Sequence, residues 1–197
     1  MKKEASEEAE AKKKAQAKKT VGGKVGKIIA CFKALGFKPA VNDFESRLIA
    51  QKLVYLLELA GFDFGFAFEL NARGPYSHAF TVEFFGNRAG FETLATKEEL
   101  TAREAKTVGA LKEFELNPGR LEAAAAYAFF VKQGLSAADA WRKLKADKPF
   151  LRGSDVCLGV NAVKPLLFKP TKEDMEELRK ECAPWQELAA ETLRRFD

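Results

Sequence analysis

The 197-residue chain is poor in histidine, has only three cysteines and lacks any long apolar run. Because His78 is the only histidine, a histidine-dependent catalytic triad or a multi-histidine metal site within one chain is excluded. No stretch of about 18 apolar residues is present, so no transmembrane helix is expected, and the first residues lack the apolar core of a secretory signal. The isolated cysteines, Cys31, Cys157 and Cys182, favour reduced thiols. Together these features predict a cytoplasmic protein.

Patterns that carry chemistry are also missing. The glycines of residues 22–24 and 61–65 lack the spacing of a phosphate-binding loop. The acidic pairs at 98–99 and 176–177 are typical of exposed helix turns. His78 follows Ser77 at a predicted helix start, without a carboxylate or thiol at a motif-like spacing. We therefore predict no catalytic residue, no metal ligand and no cofactor, and interpret the chain as non-enzymatic.

Lysine is abundant, and its excess is confined to the amino-terminal end. Residues 1–27 hold nine Lys and four Glu. Since the whole chain has 33 basic and 28 acidic residues, the remainder has 24 of each and is formally neutral. A segment so charged cannot bury enough apolar surface to offset its ordering entropy. We expect a flexible or partly helical arm rich in Lys, Glu and Ala over residues 1–24, followed by one mainly helical domain over residues 25–197.

The arm leaves a second interpretation open, in which its lysines contact nucleic-acid phosphates. The residues concerned are Lys12, Lys13, Lys14, Lys18 and Lys19. Glu8 and Lys12 lie at the i,i+4 spacing that supports a solvated helix, which favours a solubilising arm instead.

Capping and periodicity signals predict a succession of helices after the arm. Asn42 with Glu45, and Thr96 with Glu99, have the spacing of a capping box. The predicted helices cover about residues 25–35, 42–61, 77–85, 96–114, 117–134, 136–148 and 154–164. A last one is predicted to begin at Thr171 with Asp174 and to be kinked or split at Pro184. The second helix is almost wholly apolar, so its polar exceptions are informative. They are Arg47, Gln51, Lys52 and Glu58.

Residues 62–70 change to a period of two, because Phe64, Phe66, Phe68 and Leu70 alternate with smaller or polar residues. This pattern predicts a strand, and residues 90–95 are the nearest candidate partner. The absence of Lys and Arg from the strand favours a core role for its rings over a base-stacking platform. The fold class predicted is a mainly α, compact multi-helix domain with a small two-stranded β element, a pattern compatible with a winged-helix relative.

Residues 73–77 predict a rigid strand-to-helix corner, since glycine permits unusual backbone angles, proline fixes one, and serine caps a helix. Arg73 and Tyr76 belong to residue types that dominate interface energetics. Lys52 and Tyr55 lie three apart on one face of the predicted core helix. We hypothesise that these side chains form a polar-aromatic patch that binds a protein partner. The predicted partner-binding residues are Lys52, Tyr55, Arg73, Gly74, Pro75 and Tyr76.

The segments at 51–55, 64–68 and 74–77 resemble those of the YwgA-like family of uncharacterised prokaryotic proteins and, more distantly, the Panacea antitoxin domain. The downstream residues 121–130, with Gly134, Ser136, Ala140 and residues 148–149, also look like the YwgA-like pattern. The resemblance covers about residues 42–167. Similarity to Panacea domains implies an antitoxin that binds and neutralises a toxin without catalysis.

These observations predict a cytoplasmic interaction or regulatory module whose partner is a protein. The alternative is a nucleic-acid-binding regulator with a winged-helix-like body and a phosphate-contacting arm. A third interpretation is an enzyme of unrecognised type, which a deep pocket that gathers Lys52, Tyr55, Arg73 and His78 would favour.

Overall fold

The structure is a computed structural model that describes residues 21–168, 171–173, 175–176, 179–180 and 182–183. The chain divides into two compact units, with the boundary between Leu167 and Phe168. The described part is mainly helical with one small antiparallel sheet, as the sequence predicts. The five arm lysines, Asp174 and Pro184 lie outside the described residues. The division into an arm and one domain over residues 25–197 stays a prediction.

Eight α-helices, one 3-10 turn and two strands are found in the described ranges. In order they are α1 (Gly23–Leu35), α2 (Phe44–Leu59), β1 (Glu69–Asn71), β2 (Gly74–Tyr76), α3 (His78–Gly86), α4 (Arg88–Thr93), α5 (Ala102–Ala110), the 3-10 turn (Leu111–Phe114), α6 (Pro118–Lys132), α7 (Ala137–Asp147) and α8 (Gly153–Leu167). None of the described helices is long and apolar enough to cross a membrane. The winged-helix-like variant of the predicted fold stays a prediction.

Helix α6 lies at the centre of the first unit because its small side chains allow close packing. Ala123, Ala124, Ala125, Ala126 and Ala128 are fully buried. The helix packs against α2, α7, α8 and β2. Its approach to α8 is closest at Gly159, where a Cβ atom would lie 2.3 Å from the carbonyl oxygen of Arg120. A stripe of small residues thus sets how near the neighbouring elements can come.

The cap of α2 is one residue later than predicted. The Asp43 carboxylate, not the Asn42 amide, accepts a hydrogen bond from the Ser46 backbone N–H, at 2.7 Å. The Asn42 side-chain oxygen instead accepts a hydrogen bond from the Arg88 guanidinium, at 2.9 Å. The prediction of Asn42 with Glu45 was therefore wrong, since a tertiary contact engages the asparagine.

The predicted capping box of Thr96 with Glu99 was wrong for a similar reason. The Thr96 hydroxyl lies 2.8 Å from the Gly26 carbonyl oxygen and donates to it, which ties this loop to α1. The capping box forms five residues later, between Thr101 and Glu104, where α5 begins. When two candidate capping boxes lie in one stretch of sequence, spacing alone does not show which of them forms.

Of the strand predicted over residues 62–70, only residues 69 and 70 lie in a strand, and the prediction of residues 90–95 as its partner was wrong. Strand β1 pairs with β2, whereas α4 covers most of the proposed partner. The alternation of burial is real, since Phe64 and Phe66 are buried. The backbone N–H of Phe66 donates to the Glu58 carboxylate at 3.0 Å. A side chain therefore meets a hydrogen-bonding need that a sheet partner was expected to meet.

Candidate functional site

The β2–α3 junction forms the predicted corner, and side chains of α2 hold it in place. Gly74 has φ of 83°, a left-handed value that favours glycine. Ser77 caps α3 by accepting a hydrogen bond from the Phe80 N–H. The Gln51 side chain brackets Ser77, since its oxygen accepts from the Ser77 N–H and its nitrogen donates to the Ser77 carbonyl, both at 3.0 Å. A buried amide thus fixes the corner on the core helix.

Lys52 lies one residue further along α2 and is 2% exposed. Its Nζ donates to the Pro75 carbonyl oxygen at 2.7 Å. Among the described residues this carbonyl is the only hydrogen-bond acceptor of Nζ, although an ammonium group has three N–H donors. Burial lowers the pKa of Lys52 to about 7, and the charge of Lys148 acts in the same direction, while that of Glu122 opposes it.

Glu122 on α6 joins the hairpin to the end of α7. Its Oε1 lies 2.7 Å from Lys148 Nζ, and both side chains are 3% exposed. Its Oε2 lies 3.6 Å from the Arg73 guanidinium. Lys148 Nζ also donates to the Ala72 carbonyl oxygen at 2.8 Å. One carboxylate is therefore engaged by two cations, and the turn between β1 and β2 is tethered to the helical core.

A cavity of about 340 Å³ opens between α2, α3 and the hairpin. Three cationic side chains line it, namely Arg47, Lys52 and Arg73. Five aromatic side chains line it as well, namely Phe44, Tyr76, Phe80, Phe84 and Phe85. The remaining lining residues are neutral, so the described residues contribute no carboxylate to this cavity, which we call the corner pocket.

The rim of the corner pocket is an arginine between two aromatic rings. The Arg47 guanidinium lies 5.8 Å from the ring centroid of Phe44 and 6.0 Å from that of Phe85. These rings are 58% and 46% exposed. Arg47 also donates to the Asn42 carbonyl oxygen at 2.7 Å. The rim therefore presents apolar surface and positive charge side by side, in a position held by a backbone contact.

Four of the six predicted partner-binding residues line the corner pocket, namely Lys52, Arg73, Gly74 and Tyr76. Pro75 contributes the carbonyl that holds the lysine. Tyr55 lies elsewhere, since it is buried and its ring packs 5.1 Å from that of Phe68. Burial raises the pKa of Tyr55.

His78 is exposed and is not among the lining residues. Of the four residues whose gathering would favour an enzyme, the pocket is lined by two, Lys52 and Arg73. The described residues also contain no cluster of His, Cys, Asp and Glu that could hold a metal ion.

Sequence reasoning missed the aromatic rim and the pairing of Glu122 with Lys148. Phe44 looked like a core residue because it begins an apolar helix, yet it is the most exposed ring of the pocket. The signal for Glu122 was a carboxylate within a run of alanines. A charged residue on a face of small, buried side chains needs a buried partner.

The three cysteines lie far from the corner pocket in the sequence and are free thiols in the structure. Cys31 is fully buried, and burial raises its pKa to about 12, which keeps it in the unreactive thiol form.

Comparison of the chain with protein-family models, with curated proteins and with solved structures found no match.

Proposed function

We propose that the chain is a protein-interaction module, and that its partner docks a polypeptide segment on the corner pocket and its rim. The observation that carries this proposal is the lining of the pocket, in which three cations and five aromatic rings meet without a carboxylate. Arginine and aromatic residues supply most of the binding energy in protein interfaces.

Charge defines the class of partner. The cationic lining attracts a segment with Asp or Glu side chains, and the exposed rings of Phe44 and Phe85 accommodate an apolar side chain beside them. Further exposed apolar side chains lie close by in the sequence, on the outer face of α3 at Val82 and on β1 at Leu70. An apolar surface mixed with positive charge is typical of a docking site.

The rigidity of the corner supports the same function. Gln51 and Lys52 hold both sides of the β2–α3 junction, and Glu122 holds the hairpin turn. A surface that is already ordered loses less conformational entropy when a partner binds. The resemblance to Panacea domains adds a toxin as the expected kind of protein partner.

The test is a nuclease-treated pull-down with three forms of the full chain. A Phe44→Ala, Phe85→Ala double variant removes the two exposed rings, and Leu158→Ala is the matched control, because Leu158 is 48% exposed and lies outside the pocket. We expect the natural chain and the control to retain the same partner, and the double variant to lose it at least tenfold.

A photo-crosslinking residue at position 85 then maps the contact, and we expect it to label an acidic segment of that partner. Equal capture by all three forms would contradict the proposal. If no protein is retained and nucleic acid co-purifies without nuclease, removal of residues 1–27 tests the alternative, in which the arm binds phosphates and the binding weakens steeply with salt.

A further inference from the structure

Among the described residues, the charges around Lys52 do not balance. Lys52, Arg73 and Lys148 surround the hairpin turn, and Glu122 is the carboxylate that the described residues place among them. Both oxygens of Glu122 already contact Lys148 and Arg73. Buried cations need a counter-charge, because removal from water is costly. Lys52 can therefore either lose its proton or take a counter-charge from a group outside the described residues.

Lys52 is also positioned to receive such a group. It lines the corner pocket, and its single acceptor, the Pro75 carbonyl, accounts for one of three N–H donors. The side chain is nine-tenths buried or more, so bulk water has little access to the other two. An anion that enters the pocket would accept hydrogen bonds that the protein itself leaves unmade.

The aromatic walls of the corner pocket indicate the chemistry of the rest of the ligand, beyond its anionic group. Phe80 and Phe84 are almost fully buried, and Phe44, Tyr76 and Phe85 complete the aromatic lining. A cavity of about 340 Å³ is at the lower end of the range for small-ligand sites. Aromatic walls with one buried ammonium group suit a compact apolar body that carries a single negative charge.

We propose that the corner pocket binds an apolar monocarboxylate, whose carboxylate accepts hydrogen bonds from Lys52 Nζ and whose ring or alkyl chain packs on the aromatic lining. This inference deepens the proposed function, because it names the group taken by the same pocket, and it rests on that proposal for the pocket being a binding site. A carboxylate is preferred over a dianion because Glu122 already neutralises part of the local charge.

The protonation of Lys52 supports this assignment. The charged groups around it are Glu122 on α6, Lys148 after α7, Arg73 in the hairpin and Arg47, which lies on α2 and lines the same pocket. With burial dominant, the pKa of Lys52 is about 7 in the unliganded chain. A bound carboxylate favours the ammonium form and raises that pKa. Binding above pH 7 is therefore accompanied by proton uptake, and the affinity falls with increasing pH by up to about tenfold per unit.

The first experiment compares 4-phenylbutyrate with 4-phenylbutanamide, which differ only in charge and hydrogen bonding. Isothermal titration with the natural chain at pH 6.5 should show at least about tenfold tighter binding of the acid. Titrations in two buffers with different ionisation enthalpies at pH 8 should show uptake of up to one proton. Equal affinities for the acid and the amide would overturn the inference.

Two variants test whether Lys52 causes the preference for the acid over the amide. In Lys52→Met, the acid and the amide should bind equally, whereas Arg103→Ala, outside the pocket, should keep the preference. Circular dichroism checks the fold. Where Lys52→Met does not fold, Arg47→Gln at the rim and the proton-uptake measurement on the natural chain still test the inference. A preference for the acid that survives in folded Lys52→Met would overturn the role of the lysine.

Two sources of such a carboxylate exist, namely a free small molecule and the last residue of a partner polypeptide. A pentapeptide that ends in phenylalanine, with a free or an amidated terminus, distinguishes them from 4-phenylbutyrate. Binding of only the free peptide assigns a chain terminus, and binding of only the small acid assigns a metabolite-like ligand. If neither binds while the Phe44→Ala, Phe85→Ala variant still loses its partner, this inference fails and the proposed function stands.

Discussion

Two clefts of similar size in the first unit use charge in opposite ways. The corner pocket has a volume of about 340 Å³, and a second cleft beside α1 and α5 has about 370 Å³. Each is lined by three cations. The second cleft also has three carboxylates, from Asp63, Glu98 and Glu104, whereas the corner pocket has none.

The second cleft neutralises itself and joins parts of the fold. Lys27 lies 3.0 Å from Glu104, and Glu98 accepts the backbone N–H of Gly23, also at 3.0 Å. The Thr101 backbone N–H and the Lys27 ammonium lower the pKa of Glu104. In the second cleft Lys27 is thus paired with a carboxylate of the same cleft, whereas no ion pair to Lys52 is found among the described residues of the corner pocket. This difference is why we propose a ligand for the corner pocket and not for the second cleft.

The largest expected effect concerns Glu122, the carboxylate that contacts Arg73 of the corner pocket. Glu122→Gln should lower the free energy of unfolding by about 3–5 kcal/mol, because it leaves buried Lys148 and its neighbours without a counter-charge. Denaturant unfolding at pH 7 measures this. The matched control is Glu104→Gln in the second cleft, where glutamine can still complete a capping box, so a loss of about 1 kcal/mol or less is expected. Equal losses of unfolding free energy in the two variants would contradict the difference between the clefts.

The next effect has the opposite sign. Lys52→Met should raise the free energy of unfolding at pH 7 by about 1–4 kcal/mol, because the removal of a buried cation outweighs the loss of its one hydrogen bond, to the Pro75 carbonyl. The same substitution should abolish the preference for a carboxylate ligand. A variant that is both less stable and still selective would show that Lys52 is a structural residue.

A smaller effect appears when the pH is varied. The unfolded-state pKa of Lys52 is close to its ordinary 10.5 and the folded value is about 7, so the unfolded chain binds more protons between these values. The lysine therefore destabilises the fold fully below pH 7, and this cost diminishes as the pH rises towards 10.5. The stability advantage of Lys52→Met should shrink by at most about 1.4 kcal/mol per pH unit above 7. Both proteins contain Cys31, so its opposing contribution above pH 9 cancels in the difference.

The sequence was sufficient to predict most helices and the corner. The helices predicted to begin near residues 117 and 136 are found, with Asn117 and Ser136 as their N-caps, because the chemistry of such caps is local. The predicted strand failed because alternating burial does not determine which group satisfies the backbone. In this chain Glu58, eight residues away, accepts the Phe66 N–H.

The candidate site could be predicted only in part for the same reason. Lys52 was identified because a charged residue is unusual in an apolar helix. Arg73 was identified because an arginine is an unusual residue type beside a glycine corner. The partner of Glu122 lies 26 residues away, and that pairing depends on how α6 and α7 pack. The exposure of Phe44 likewise depends on which helix face the neighbouring elements leave uncovered.

The smallest expected effect gives the most direct comparison of the two clefts, because the same substitution, lysine to methionine, is made in each. Lys27→Met should lower the free energy of unfolding by less than about 1 kcal/mol, since Lys27 is partly exposed and pairs with Glu104. Lys52→Met, the same chemical change, should raise it. Unfolding curves of both variants under one set of conditions measure the difference in sign. If both substitutions destabilise the fold, the charges of the two clefts have the same structural role, and the unpaired lysine of the corner pocket gives no reason to expect a ligand.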